Sequence, residues 1–455
     1  MQASFQDSHL VETKKNQREK EERMTTETEM YPHVILTGTP FERGLKHGSI
    51  LREKIQMLGN HYRTSDTLPP WDWCQNIIEW YYIPALEKYD PYAFEELKGI
   101  AKGSETSLDT IILINARYDL TKYRNNSDCA DQIADNSKTA DECTTGAIID
   151  EKSVKLVQNW DLDSYVYDND LCVVLETRTT PQEGLPKTIV TLGEVGQLGR
   201  SGMNSEGLGL CANGLNATID FFNFPIDPRD EAATKRVEKE YGIKLPVIPV
   251  SFARRKFLSC HSFANGLKYI VQSPRHVSGN ILVATAAGMA LDFELIPNSY
   301  FLIEPTYVDE KSGAEVLPSS NKRAFITHSN HFLSPRYTPA ANYMRCKNPG
   351  GSSLYRHHLL ARNFVDIIKS KPIGKGISVD DVKKCVSDRT CAPNALSESI
   401  NLRDEPQYCT EKDPELLLTV ATAIYDLTNG TATFCKGPPH AAKKWLTVNI
   451  DMEKQ

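Results

Sequence analysis

The sequence predicts an α+β protein, and three observations point there. Strand-like and helix-like runs arrive in blocks rather than one by one, which speaks against a parallel doubly wound sheet. The β-rich runs are short and divided by Gly, Asn or Pro turn signals. The 455 residues, 40% hydrophobic and 24% charged, suffice to bury one large core.

Residues 1–30, "MQASFQDSHLVETKKNQREKEERMTTETEM", lack the apolar core of a secretory signal and read as a disordered tail ahead of a single domain over residues 31–455. Ordered sequence starts near "YPHVILTGTPFERGLKHGS". Val34 to Leu36 is strand-like, Gly38-Thr39-Pro40 turns, and Phe41 to about Tyr62 reads as one helix. A second helix covers "DPYAFEELKGIAKGS", with Asp90 as cap and Pro91 in the first turn, and a third covers "SLDTIILINARYDL". Thr121 to Glu142 is polar and aperiodic and reads as a loop.

From Cys143 onward strands dominate. Cys143 to Ile149 is a strand of small and β-branched residues, Asp150 to Ser153 a polar turn, and Val154 to Trp160 a returning strand. This edge-like hairpin is expected to leave the Cys143 backbone accessible on one side. Asp161 ends the returning strand 18 residues after Cys143, so the hairpin brings it back near that end. Strands follow at "DLCVVLETRT", "KTIVTLGEVG" and "GLGLCANGL", then one helical stretch, "SFARRKFLSCHSFANGLKYIVQS". Further strands come at "NILVATAAGMALDFELI" and "RAFITHSNHF", a helix at "SLYRHHLLARNFVDIIKS", and closing strands at "VATAIYDLT" and "TATFCKG".

The bulk numbers exclude several roles. A net charge of −7, from 52 basic and 59 acidic residues without a concentrated basic field, argues against nucleic acid. No apolar run approaches the ~20 residues a membrane span needs. The 11 cysteines, an odd number without a C-x-x-C pair, suggest neither a zinc site nor a disulfide framework but a reducing compartment. The final Glu453-Lys454-Gln455 does not match an S-K-L-type address, and the expected location is cytoplasmic.

Seven segments in order resemble one family, the fungal acyl-coenzyme A:6-aminopenicillanate (isopenicillin N) acyltransferases and their amidohydrolase relatives. They are "GTPFERGLKHGS", "EELKGIAKGSETSLDTIILINARYD", "CTTGAI…QNWDLD", "GEVGQLGRSGMNSEGLGLCANGL", "DFELIP", "THSNH" and "IYDLTNGTAT". The resemblance spans most of Thr37 to Pro438, with insertions around Thr121–Glu142 and Asp220–Lys244. It implies an N-terminal nucleophile hydrolase fold: a four-layer αββα sandwich of two antiparallel sheets covered by helices. It also implies a precursor that cuts itself before a cysteine, here between Glu142 and Cys143. The pieces, residues 1–142 and 143–455, are expected to stay together as a heterodimer.

The chemistry explains the cut. A protonated thiol needs a nearby base, and an N-terminal cysteine carries one in its own α-amine, with a pKa of roughly 7.7–8.0. Mid-chain, the same nitrogen is an amide without basicity. By resemblance Cys143 is the nucleophile, Asp161 the carboxylate that holds the new ammonium or a neighbouring Arg, and Asn330 an oxyanion donor. The family's S-I-C-R appears as Ser399-Ile400-Asn401-Leu402-Arg403. Its Arg is therefore Arg403 with one residue inserted, or the role is unfilled. Glu142 stands where the family has Gly, the residue that eases strain at a cleavage point.

The implied activity is a thioester acyl-enzyme. It passes the acyl group from a small-molecule donor (acyl-CoA or an amide) to an amine acceptor, as an N-acyltransferase, or to water, as an amide hydrolase. No cofactor or metal is expected. His331 reads as a packing histidine, and adjacent His357 and His358 point in different directions on their helix. A rival reading is a non-catalytic relative that binds an acylated small molecule or partner. An ordinary Cys-His hydrolase would need a dedicated histidine, and none of the 11 has motif support.

Overall fold

A computed structural model describes residues 28–127, 141–220, 230–241, 247–297, 299–309, 315, 323–334, 346, 351–372, 374–390, 396–397 and 417–453. The expected tail over residues 1–30 lies outside them except for its last three residues.

The described strands are β1 (His33–Leu36), β2 (Asp141–Ile149), β3 (Val154–Asp163), β4 (Cys172–Arg178), β5 (Thr188–Glu194), β6 (Ser201–Asn204), β7 (Leu208–Gly214) and β8 (Gly279–Thr285). They continue with β9 (Met289–Ile296), β10 (Ser299–Ile303), β11 (Thr306–Val308), β12 (Arg323–His328), β13 (Leu417–Asp426), β14 (Thr431–Lys436) and β15 (Trp445–Asn449). They form an eight-stranded sheet, β1-β4-β5-β6-β7-β8-β9-β10, and a seven-stranded sheet, β11-β12-β2-β3-β13-β14-β15. All pairs are antiparallel except β1 with β4, which run parallel and add one exception to the expected pattern.

The two sheets meet where β2 and β3 pack on β7 and β8. Helices cover both outer faces, so the architecture is a four-layer αββα sandwich. Over the eight-stranded sheet lie α1 (Pro40–Ile50), α2 (Arg52–Thr64), α3 (Trp71–Ile77), α4 (Ile83–Tyr89), α5 (Pro91–Ser104) and α6 (Leu108–Ser127). Helices α7 (Ser164–Asp168), α8 (Glu231–Tyr241), α9 (Val250–Leu258) and α10 (Phe263–Gln272) come next along the chain. Over the seven-stranded sheet lie α11 (Gly351–Ser370) and α12 (Val379–Val386), which share an apolar cluster with Ile148, Val157 and Ile424.

Local sequence explains many boundaries. At α1, Thr39 forms a capping box with Glu42 and Pro40 opens the helix. At α5, Asp90 accepts the Ala93 amide and Pro91 follows, as expected. Helices α1 and α5 touch backbone to backbone: a Cβ at Gly44 would sit 1.9 Å from the Glu96 carbonyl oxygen.

Other boundaries differ from expectation. The predicted helix over Phe41–Tyr62 is two helices, because Leu51 leaves helical geometry at φ −113° and ψ 22°. The stretch from Ser251 to Ser273 also divides, with Ser262 capping α10 through the Asn265 amide. The polar segment after Thr121 is helical through Ser127, since Lys122 buries its stem and sets its ammonium 4.6 Å from the Tyr118 ring centre.

The hairpin is not at an edge. Strand β2 runs between β3 and β12, but β12 ends where His328 pairs with Thr145. The ladder on that side stops two residues short of Cys143. Alternation then sorts the hairpin's side chains. Cys143, Thr145, Trp160 and Gln158 face the other sheet, where Gln158 donates to Ala212 O at 2.7 Å and Asn213 donates to the Thr145 hydroxyl at 2.7 Å. Thr144, Asn159 and Asp161 face the helices, where Asn159 donates to Val386 O and Leu396 O. Gly146 lies under Phe364, and a Cβ there would sit 2.7 Å from its ring. Burying that ring stabilises the layer by about 1.5–3 kcal/mol.

Candidate active site

Cys143 is buried, and each of its polar groups is engaged by a distant part of the chain. Because the β12 ladder has ended, its N–H donates instead to Asn330 Oδ1 at 2.9 Å. Its carbonyl accepts from Arg356 Nη1 at 2.6 Å, and its Sγ accepts from Arg200 Nη2 at 3.1 Å.

Arg200 arrives from the opposite sheet, on the turn between β5 and β6. Gly199 makes that turn at φ +116°, where a Cβ would also strike Thr191 at 2.4 Å. The Arg200 amide closes the turn on Leu192 O, and its guanidinium lies over Trp160, 4.9 Å from the ring centre. A cation at this distance favours a thiolate over a thiol.

Asn330 follows β12 in "THSNH". Its Oδ1 accepts from both Cys143 N and Arg356 Nη2, the latter at 2.9 Å, while its Nδ2 donates to Gly214 O at 3.1 Å. These partners fix which way the amide points. In the uncut chain it therefore turns its oxygen toward the Cys143 nitrogen. Arg356, on α11, also donates to the Thr144 hydroxyl at 2.8 Å.

Asp161 lies directly across from Glu142 in the β2–β3 ladder. It accepts from the Thr419 hydroxyl at 2.5 Å on the helix-facing side. Alternation thus sets its carboxylate on the opposite face from the thiol. Arg403 lies outside the described residues.

His331 bonds Ser353 Oγ at 2.8 Å. His357 is pushed down to about 3 by burial and by the neighbouring histidines, and therefore stays neutral. Among the described residues no cluster of His, Cys, Asp and Glu has the makings of a metal site. Burial pushes the Cys211 thiol well above its ordinary range.

Sequence reasoning missed Arg200 and Arg356, yet both left a trace. Arg200 sits in the glycine-punctuated "GQLGRSG". Arg356 lies on the same helical stripe as Leu360 and Phe364, both fully buried. A charge on an apolar stripe is informative, because arginine is seldom fully buried without partners.

No family model matches the chain. The 40 kDa form of acyl-coenzyme A:6-aminopenicillanic-acid-acyltransferase from Emericella nidulans is 29% identical over 343 residues, covering 72% of this chain and 77% of that protein. The chain is a relative of that acyltransferase. Solved structures similar to it include a mutant conjugated bile acid hydrolase from Clostridium perfringens (TM-score 0.39, 11% identity, 68% of this chain and 93% of that one). Penicillin V acylase from Agrobacterium tumefaciens is another (TM-score 0.34, 13% identity, 65% and 83%). Among the described residues no helix is long and apolar enough to cross a membrane.

Proposed function

We propose that this chain is a self-processing cysteine acyltransferase or amide hydrolase, with Cys143 as nucleophile. The observation that carries the reading is the pairing of two contacts on one residue. Arg200 sits at the Sγ, where a thiolate forms, and Asn330 Oδ1 sits at the nitrogen that becomes the α-amine.

In processing, the Cys143 thiolate adds to the Glu142 carbonyl carbon. The C–N bond breaks, the nitrogen takes up a proton, and a thioester remains. Water then cleaves the thioester to a Glu142 carboxylate and a free thiol. Asn330 Oδ1 accepts from the amide before the cut and from the amine after it. Asp161, and Arg403 by resemblance, are the candidates to bear on that ammonium. In turnover, the α-amine takes the thiol proton, sulfur attacks the acyl donor, and the donor's thiol or amine leaves. An amine or water then attacks the thioester and regenerates Cys143.

The relative's name specifies acyl-coenzyme A and 6-aminopenicillanic acid. For this chain the corresponding classes are a small acyl thioester or amide as donor and an amine or water as acceptor, with no cofactor. The fragments remain a heterodimer on this reading, because residues 1–142 supply β1 to the eight-stranded sheet and α1 to α6 to the helical layer. Scattered cysteines without a C-x-x-C pair fit a reducing location such as the cytoplasm.

One observation favours the non-cutting alternative. The Glu142–Cys143 peptide continues a regular ladder, with Asp141 opposite Leu162 and Glu142 opposite Asp161. Intact mass and N-terminal sequencing of the purified protein decide between them. Dividing 51.1 kDa in proportion to 142 and 313 residues gives expected fragments of about 16 and 35 kDa. A protein that remains one chain and takes up no acyl mass at Cys143 from an activated donor sinks the enzymatic reading.

A further inference from the structure

The loop that carries Asn330 is stapled at both ends by a buried ion pair that takes no part in the chemistry above. Asp292 and Glu294, two residues apart on β9, point into the interior fully buried. Burying two carboxylates is costly unless they are paired. Their partner is His328, the last residue of β12 in the opposite sheet. Its Nε2 lies 3.0 Å from Glu294 Oε1 and 4.0 Å from Asp292 Oδ2.

The other ring nitrogen of His328, Nδ1, lies 2.8 Å from the carbonyl of Ser329, which only accepts. With acceptors at both nitrogens, the ring carries both protons and is an imidazolium. Burial opposes that charge, but Asp292 and Glu294 outweigh it and raise the His328 pKa. Burial likewise opposes the Glu294 carboxylate, and the His328 bond holds it below its ordinary range.

Glu294 does one thing more. It accepts the backbone N–H of Leu333, and that of Ser334 at 3.1 Å. One ion pair thereby holds Ser329, just before Asn330, and Leu333 and Ser334, just after it. On the other side Asn330 N donates to Ser353 Oγ at 2.8 Å on α11.

We propose that Glu294 is a positioning residue: with His328 it fixes the 329–334 loop, so that Asn330 Oδ1 meets the Cys143 nitrogen. The proposal rests on the reading of Cys143 given above. The groups facing His328 set its pH behaviour. Asp292, pushed up to about 6 by burial, and Glu294 lie on β9. His331 follows in the loop with ring centres 6.5 Å apart, and neutral His357 lies on α11, 5.8 Å beyond His331. Below the raised His328 pKa the staple is closed, and as pH climbs through that pKa the proton is lost and the staple opens.

The test is Glu294→Gln in the full chain. Three properties are read together: thermal unfolding, the time course of cleavage at Glu142–Cys143 by intact mass, and the His328 titration by NMR of labelled histidine. The expected result is a folded variant whose cleavage is slowed by about 10²-fold, the cost of a small misplacement of a reacting group. The His328 midpoint should fall, and turnover should lose kcat with KM unchanged. Wild-type cleavage and turnover in that variant overturn the proposal. Should Glu294→Gln not fold, Glu294→Asp keeps the charge but shortens the reach. Slow cleavage with His328 still cationic supports the staple, and wild-type cleavage overturns it. If the wild-type chain itself is never cut, the reading of Cys143 fails. The titration still judges the ion pair, because a His328 midpoint unmoved by Glu294→Gln overturns it independently.

Discussion

In the helical layer, Arg43 meets Glu183 through two hydrogen bonds of 2.7 Å and lies 3.5 Å from Glu96, which also pairs with Arg255 at 3.3 Å. At the other buried cluster, Arg200 and Arg356 reach a thiol, a peptide carbonyl, a hydroxyl and a side-chain amide oxygen. The chemistry of the donors is the same and their tasks differ. A guanidinium on a carboxylate already faces full charge, so its contribution is to structure. A guanidinium on a thiol gains strength as charge develops there, and this differential stabilisation is what catalysis needs.

The contrast breaks most sharply at the nucleophile. Cys143→Ala should remain a single chain and trap no acyl mass from an activated donor. If that variant still splits before residue 143, self-processing by this thiol is wrong. Next in size is Asn330→Ala, expected to fold normally while acyl transfer slows by about 10²-fold, the cost of a small misplacement of the Cys143 amine. An activity loss matched by an equal loss of thermal stability would instead assign Asn330 to packing.

Arg200→Met keeps the packing stem over Trp160 and removes the charge. The cation favours the thiolate, so its loss should raise the pH midpoint of Cys143 alkylation by iodoacetamide by about 1–3 units. An unmoved midpoint would separate Arg200 from thiol activation. The smallest effect on the site belongs to Arg43→Met. It strips Glu183 of its ion partner and leaves Glu96 with Arg255 alone, so stability should fall by about 3–5 kcal/mol in urea unfolding. The alkylation profile should not move, and a shift there would erase the distinction between the clusters.

Much of the architecture was legible because short-range rules govern it. The turn over Asp150 to Ser153 sets the hairpin, and Thr39-Pro40 and Asp90-Pro91 announce their helices through caps. Alternation also assigns the hairpin's side chains to two faces, although it does not say which face meets which layer. The edge-like reading of β2 failed because a strand's in-plane neighbours are set by the rest of the chain. Nothing within the hairpin announces that β12, from some 180 residues later, lies alongside and stops at Thr145.

The sequence by itself determined the blockwise α+β pattern, the hairpin and its leading cysteine, because periodicity, turns and caps act over a few residues. Resemblance named Asn330, but tertiary structure decided how the groups around that cysteine meet. Arg200, Asn330 and Arg356 come from 57, 187 and 213 residues away. Their meeting depends on how two sheets and a helix stack and where one ladder ends. That geometry is set by packing across the whole core, to which no local stretch holds the key.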